Sequence, residues 1–235
     1  MMSRTHQRSM LALVALALLF TQSSAFADGK WEEITREQGI VVSKKAVAGQ
    51  DLPAFRGIAV VNASIFDILA VLDDTPKIQD WMHNCIDSRP IQVINEFERI
   101  TYNKTDAPWP VSDRDVVVRS KLTINEKRKM VIVNFRSVKH PKMPEQEDVV
   151  RMPRLRGHYK LKILSDNKTR VEYMVEANPG GSLPTWLAEQ ASEELPLITL
   201  QNLRKQVKKT KGKYEAFVKQ WDPAKGGKLP TDIMK

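Results

Sequence analysis

Between residues 86 and 177 the chain reads as strand after strand joined by short polar turns, and beyond residue 181 it reads as one long helix. Apolar and polar residues alternate with a period near two in MVIVNFRSV (130–138), the pattern of a half-buried strand. Residues 86–94, 97–104, 115–124, 149–164 and 170–177 are the other strand segments, with turns at 125–128 and 165–168. Consecutive strands joined by turns build an antiparallel sheet. Asn178-Pro179-Gly180-Gly181 breaks the sheet, Ser182 is placed to cap a helix, and Pro184 falls in its first turn. Leu187, Ala191, Leu195 and Ile198 then recur at helical spacing, and Leu200, Leu203 and Val207 continue the stripe slightly displaced. Pro196 lies inside this run and predicts a bend, because it lacks an N–H and crowds the preceding turn. A bent sheet must cover its concave face, and this amphipathic helix is the available cover. The expected fold class is α+β, a curved antiparallel sheet wrapped around a long C-terminal helix.

The N-terminal part supplies smaller pieces. Residues 31–38 (WEEITREQ) read as a short amphipathic helix stopped by Gly39. Residues 40–48 and 54–61 read as a hairpin turning at 49–51. Asn62-Ala63-Ser64 offers a helix cap before residues 65–72, and Pro76 sits in the first turn of a second short helix ending near Trp81-Met82. Residues 139–147 (KHPKMPEQE) form a polar loop, and the last fourteen residues read as a frayed tail.

Residues 1–27 have the order of a secretory signal: Arg4 and Arg8, then the apolar run LALVALALLF (11–20), then Ala25-Phe26-Ala27. The run is shorter than the roughly 20 residues a membrane-spanning helix needs. Cleavage is expected between Ala27 and Asp28, with delivery to the bacterial periplasm or beyond. The expected organisation is a signal peptide at 1–27, one ligand-binding domain at 28–210, and a helix end with basic tail at 211–235. The whole chain carries 37 Lys and Arg against 28 Asp and Glu; loss of the two leader arginines leaves a net charge of +7. Much of the excess lies in RKQVKKTKGK (204–213), which contains no acid and suggests transient contact with an anionic membrane surface. It also contains no aromatic residue on which bases could stack, so a nucleic-acid partner is not expected.

Cys85 is the only cysteine, so no disulfide can form within the chain. It reads as a half-buried small side chain, and His83, His140 and His158 lack ligand spacing with it or with one another. No metal and no cofactor is expected.

Six stretches carry a family resemblance: WEEITREQGIVV (31–42), DLPAFRG (51–57), QDWMHNC (79–85), PWPVSDRDVVVR (108–119), NFRSV (134–138) and NPGGSLPTWL (178–187). In this order they resemble the START lipid-transfer domains, over about residues 31–208. The resemblance implies the helix-grip fold, an internal tunnel for one lipid between sheet and C-terminal helix, and a mobile loop at the tunnel mouth. It implies a carrier rather than an enzyme, expected as a monomer. It also places Ser120 and Asn103 where sterol-binding members keep an arginine and an acid, so a sterol-type charged anchor is not expected here.

The loop at 108–115 gains a physical reading from this. Pro108 and Pro110 stiffen the approach to Trp109, and an indole held at a rim suits a membrane–water boundary. Arg114, with Asp113 and Asp115 beside it, is expected to anchor the loop base through an ion pair. Beyond it Val116, Val118, Ser120 and Leu122 share one strand face, expected inward, while Val117, Arg119 and Lys121 share the outward one. Val133 with Phe135, Tyr159 with Leu161, and Tyr173 complete the candidate wall; Trp186, Leu187, Leu195 and Ile198 are the candidate lid. Two other readings stay open: a cyclase- or aromatase-like enzyme on the same fold, which needs a general acid or base inside, and a sensor that binds without transfer.

Overall fold

The computed structural model describes residues 29–227; the expected cleavage site at Ala27 and Asp28, and residues 228–235, lie outside the described residues. Ten strands make one sheet: β1 (Glu32–Glu37), β2 (Ile40–Lys45), β3 (Ala54–Val61), β4 (Cys85–Asn95), β5 (Glu98–Thr105), β6 (Arg114–Asn125), β7 (Met130–Ser137), β8 (Val150–Arg151), β9 (Arg154–Ser165) and β10 (Lys168–Asn178). Their spatial order is β1-β2-β3-β10-β9-β7-β6-β5-β4, antiparallel throughout except that β8 pairs in parallel with β6. Three α-helices are described: α1 (Ile65–Asp73), α2 (Thr185–Lys209) and α3 (Glu215–Trp221). The curved sheet and the C-terminal α2 that it grips give the expected α+β class.

Several local expectations are corrected. Residues 31–38 contribute β1 rather than a helix. Gln38 and Gly39 both take positive φ, 50° and 69°, which forms the two-residue hairpin turn that returns the chain onto β2. The glutamates of β1 then blunt a free sheet edge. The short helix holding Pro76 is a 3-10 helix, Thr75–Asp80. The long strand expected at 149–164 is broken at Pro153 into β8 and β9, since proline cannot donate to a ladder. Ser182 does not cap α2; Pro184 precedes it, and its carbonyl accepts from the amides of Leu187 and Ala188. Ser64 does cap α1, accepting from the Asp67 amide at 3.1 Å.

α2 runs unbroken through Pro196, and its buried residues are Ala188, Pro196, Thr199, Leu200, Leu203, Gln206 and Val207. This set is rotated from the stripe that Leu187, Ala191, Leu195 and Ile198 suggested. The cause is Gly57 on β3: a Cβ there would stand 2.7 Å from Leu200 Cδ1 and 3.0 Å from Pro196 Cβ. Glycine lets the helix lie flat on the strand with its proline facing in.

Candidate ligand cavity and its rim

Register across the sheet sorts the inward side chains into rows. Leu122, Val133, Tyr159, Tyr173 and Gly57 are successive cross-strand neighbours on β6, β7, β9, β10 and β3. The next row, toward the end where α3 lies, holds Ile124, Val131, Leu161, Val171 and Ala59. Period-two alternation keeps all of these on one face.

A cavity of about 70 Å3 opens at the β5–β7 side of these rows. Ser120, Leu122, Ile124, Val131 and Val133 form its floor; Phe66, Leu69 and Leu72 of α1 roof it; Phe97, Phe217 and Trp221 close its end. Asp73 and Arg99 stand at its edge as an ion pair, with Arg99 Nη1 also donating to the Asp73 carbonyl at 2.9 Å. Pockets that take drug-sized ligands run to roughly 300–1,000 Å3, so a lipid enters only if packed groups move apart.

Beside the cavity lies an aromatic cluster. Tyr159 and Tyr173 stack at 4.5 Å between centroids, Phe135 tilts over both, and Trp81 meets Tyr159 edge-on at 6.4 Å. Phe135 lies against Gly157, its cross-strand partner, where any Cβ would strike the ring. Trp81 is 2 % exposed and Tyr159 6 %; Trp81 Nε1 has no hydrogen-bond partner, and the Tyr159 hydroxyl has only that of Tyr173 near it. Burial holds the Tyr159 and Tyr173 hydroxyls well above the usual phenol range and pushes the Cys85 thiol up to about 11, so all three stay protonated. The Cys85 side chain is buried, as expected of a small apolar-like group.

The rim is at the opposite end of β6, some 33 Å from Ile124 at about 3.3 Å per residue. Trp109 is 92 % exposed and Trp186, on the first turn of α2, 67 %. Loop anchoring differs from expectation. Asp113 pairs with Lys104 at 2.8 Å and Asp115 with Arg151 at 2.6 Å, so neither acid is Arg114's salt-bridge partner. Arg114 instead donates to the carbonyls of Ser112 and Gly180, tying the loop base to the segment before α2. The basic stretch lies at the other end of α2, with Lys205, Lys208, Lys209 and Lys211 exposed.

Of the candidate residues, Ser120, Leu122 and Val133 line the cavity. Phe135, Tyr159, Leu161 and Tyr173 belong to the packed core beside it. Val116 and Val118 are buried on the same face nearer the rim, where Asn103, opposite Val116, accepts from Ser88 Oγ at 2.7 Å. Ser120 sits opposite Arg99 instead, so Ser120 and Asn103 do not meet, and the ion pair at the cavity is Arg99 with Asp73. Leu195 packs partly against the core, Leu187 and Ile198 are half-buried, and Trp186 points away from it. Arg119 faces outward to Glu98 as expected, whereas Val117 is 0 % exposed. It packs with Ile100, Tyr102, Val138 and Met143, covered by the polar loop after β7. Val131 and Ile124 were within reach of the alternation rule. The α1 residues and Phe217 and Trp221 were not, because which face of a short helix turns inward depends on its docking.

Among the described residues no His, Cys, Asp and Glu cluster could hold a metal ion, and no helix is long and apolar enough to cross a membrane. A curved sheet that grips a C-terminal helix over an apolar interior with an exposed aromatic rim defines a class of ligand-enclosing α+β domains. The START domain family matches residues 14–212, and the chain belongs to that family. It is 31% identical to the uncharacterized protein PA1579 of Pseudomonas aeruginosa over 199 residues, 85% of this chain and 96% of the relative. It is 28% identical to the bovine phosphatidylcholine transfer protein over 186 residues, 73% of this chain and 81% of the relative. Among solved structures, a STAR-related lipid transfer protein fragment from Xanthomonas axonopodis superposes with a TM-score of 0.69 at 32% identity, covering 76% of this chain and 98% of that one.

Proposed function

We propose that this protein takes up one lipid-like molecule between the sheet and α2 and carries it to or from a membrane, acting after export through its N-terminal signal. The observation that carries the reading is the orphaned donor Trp81 Nε1, set beside the Tyr159 ring at 6.4 Å in the apolar core. Leaving a buried donor unsatisfied costs about 1–3 kcal/mol. A ligand's ester carbonyl or hydroxyl would accept from it. Val133, cross-strand neighbour of Tyr159 and part of the cavity floor, marks where a hydrocarbon tail would leave that polar end. Apolar contact suffices for affinity, since a tail gains about 0.8 kcal/mol per buried methylene relative to water. Cys85, Tyr159 and Tyr173 are all held in their proton-bearing forms, which suits recognition of a neutral polar group better than proton abstraction by a cyclase. Relatives named for lipid and phosphatidylcholine transfer support the same reading.

The test is native mass spectrometry of protein purified from its own envelope, with lipid extraction, joined to a liposome transfer assay. One co-purifying lipid is expected, with transfer slowed in Trp81→Phe and Tyr159→Phe. Empty protein that moves no lipid between liposomes ends the proposal. Binding without transfer would make it a sensor.

A further inference from the structure

α3 begins beyond the last residue of the START match, at Glu215 against residue 212. Its residues fall in the stretch expected as a helix end with basic tail, yet it is built into the cavity. Phe217 and Trp221 are one turn apart on the same side of the helix and both line the cavity. Trp221 packs edge-on against Phe97 at 5.5 Å and tilted against Phe217 at 6.0 Å. The approach to α3 is tied to the end of α1: Tyr214 Oη donates to Asp74 Oδ2 at 2.7 Å, and Lys213 pairs with the same carboxylate at 3.5 Å. Arg99 and Asp73, at the cavity edge, are engaged with each other, and Glu96, the other charged lining residue, is exposed. What α3 and Phe97 present to the cavity is aromatic, the surface a hydrocarbon terminus meets.

We propose that α3 is a chain-length stop: its aromatic face sets how many methylenes of a bound tail the cavity accepts. This rests on the lipid-binding reading above. A tail whose polar end lies at Trp81 and Tyr159 crosses β7 and β6 at about 4.8 Å per strand, then abuts Phe217 and Trp221. Trimming either ring lengthens the tail that fits.

The experiment titrates delipidated full-length protein with saturated fatty acids that differ by two methylenes, read by calorimetry. In the unaltered protein, affinity rises about fourfold per methylene, from ~0.8 kcal/mol each, then stops rising at a cutoff length. Trp221→Ala moves that cutoff to longer chains, Trp221→Phe moves it less, and Phe217→Trp moves it to shorter ones. The two aromatic replacements keep α3 packed should the alanine variant fail to fold. Binding with the same cutoff in every variant overturns the stop and leaves lipid binding intact. Faster exchange with an unmoved cutoff also overturns it, making α3 a door. Absence of binding at every chain length in the unaltered protein overturns the lipid reading and the stop together.

Discussion

Gly57 shows how little room separates α2 from the sheet. Leu200 and Pro196 already occupy the space of its missing side chain, and both are buried. Gly57→Ala is therefore expected to cost about 1–3 kcal/mol by overpacking, read as a lower urea midpoint with an unchanged slope. Glu172 makes a second residue-scale prediction. On the outer face it accepts from His158 at 3.0 Å and Lys160 at 2.9 Å. His158 first, then Lys160, holds its carboxyl down at about 2, against an ordinary 4.5. A depressed carboxyl stabilises the fold above its unfolded pKa, and the contribution fades as pH falls through the folded one. The stability gap between the native protein and Glu172→Gln should thus be full above about pH 4.5 and shrink toward pH 2; a gap that is flat across that window would refute the assignment. At this scale the sequence was readable wherever alternation applied. Ser120, Leu122 and Val133 were placed on the right face from period two alone. Val117 was also placed on the right face, but its burial depends on a loop thirty residues away in sequence covering it, which periodicity does not register.

Among the elements, β8 is the smallest and the most dependent on one contact. It is two residues long, and Arg151 within it grips Asp115 of β6 in a two-pronged bridge at 2.6 and 3.0 Å. The same guanidinium donates to the carbonyls of Met143 and Pro144, so it also holds the long loop over Val117. Asp115→Asn leaves that half-buried arginine without its carboxylate, a loss of about 1–3 kcal/mol. Hydrogen exchange should rise across residues 139–151 before it rises elsewhere; equal protection in both proteins would mean the bridge is not what holds the loop. The run of antiparallel strands and the helix after it were legible because turns and alternation are local signals, though two strands of the ten went uncounted. β1 was not, since Trp31, Ile34 and Gln38 also fit helical spacing and only the Gln38-Gly39 turn decides. α3 was not told apart from the helix end expected over 211–235, because seven residues carry too little periodicity to mark a separate helix. The later part of the buried face of α2, Leu200, Leu203 and Val207, was legible; the earlier part was not, because Pro196 was counted as a bend rather than as an apolar packing surface.

For the molecule as a whole, two exposed tryptophans at one end and exposed lysines at the far end of the same helix make it polar along its length. Trp109→Ala with Trp186→Ala should abolish vesicle sedimentation while leaving thermal stability unchanged, because neither ring packs in the core. Sedimentation that persists would move the membrane face elsewhere. The sheet itself has one property a closed barrel lacks. β1 and β4 are its two ends, and they do not pair with each other. In a barrel, strand number and shear fix the girth; here the hoop is cut. Widening it would leave every ladder hydrogen bond in place.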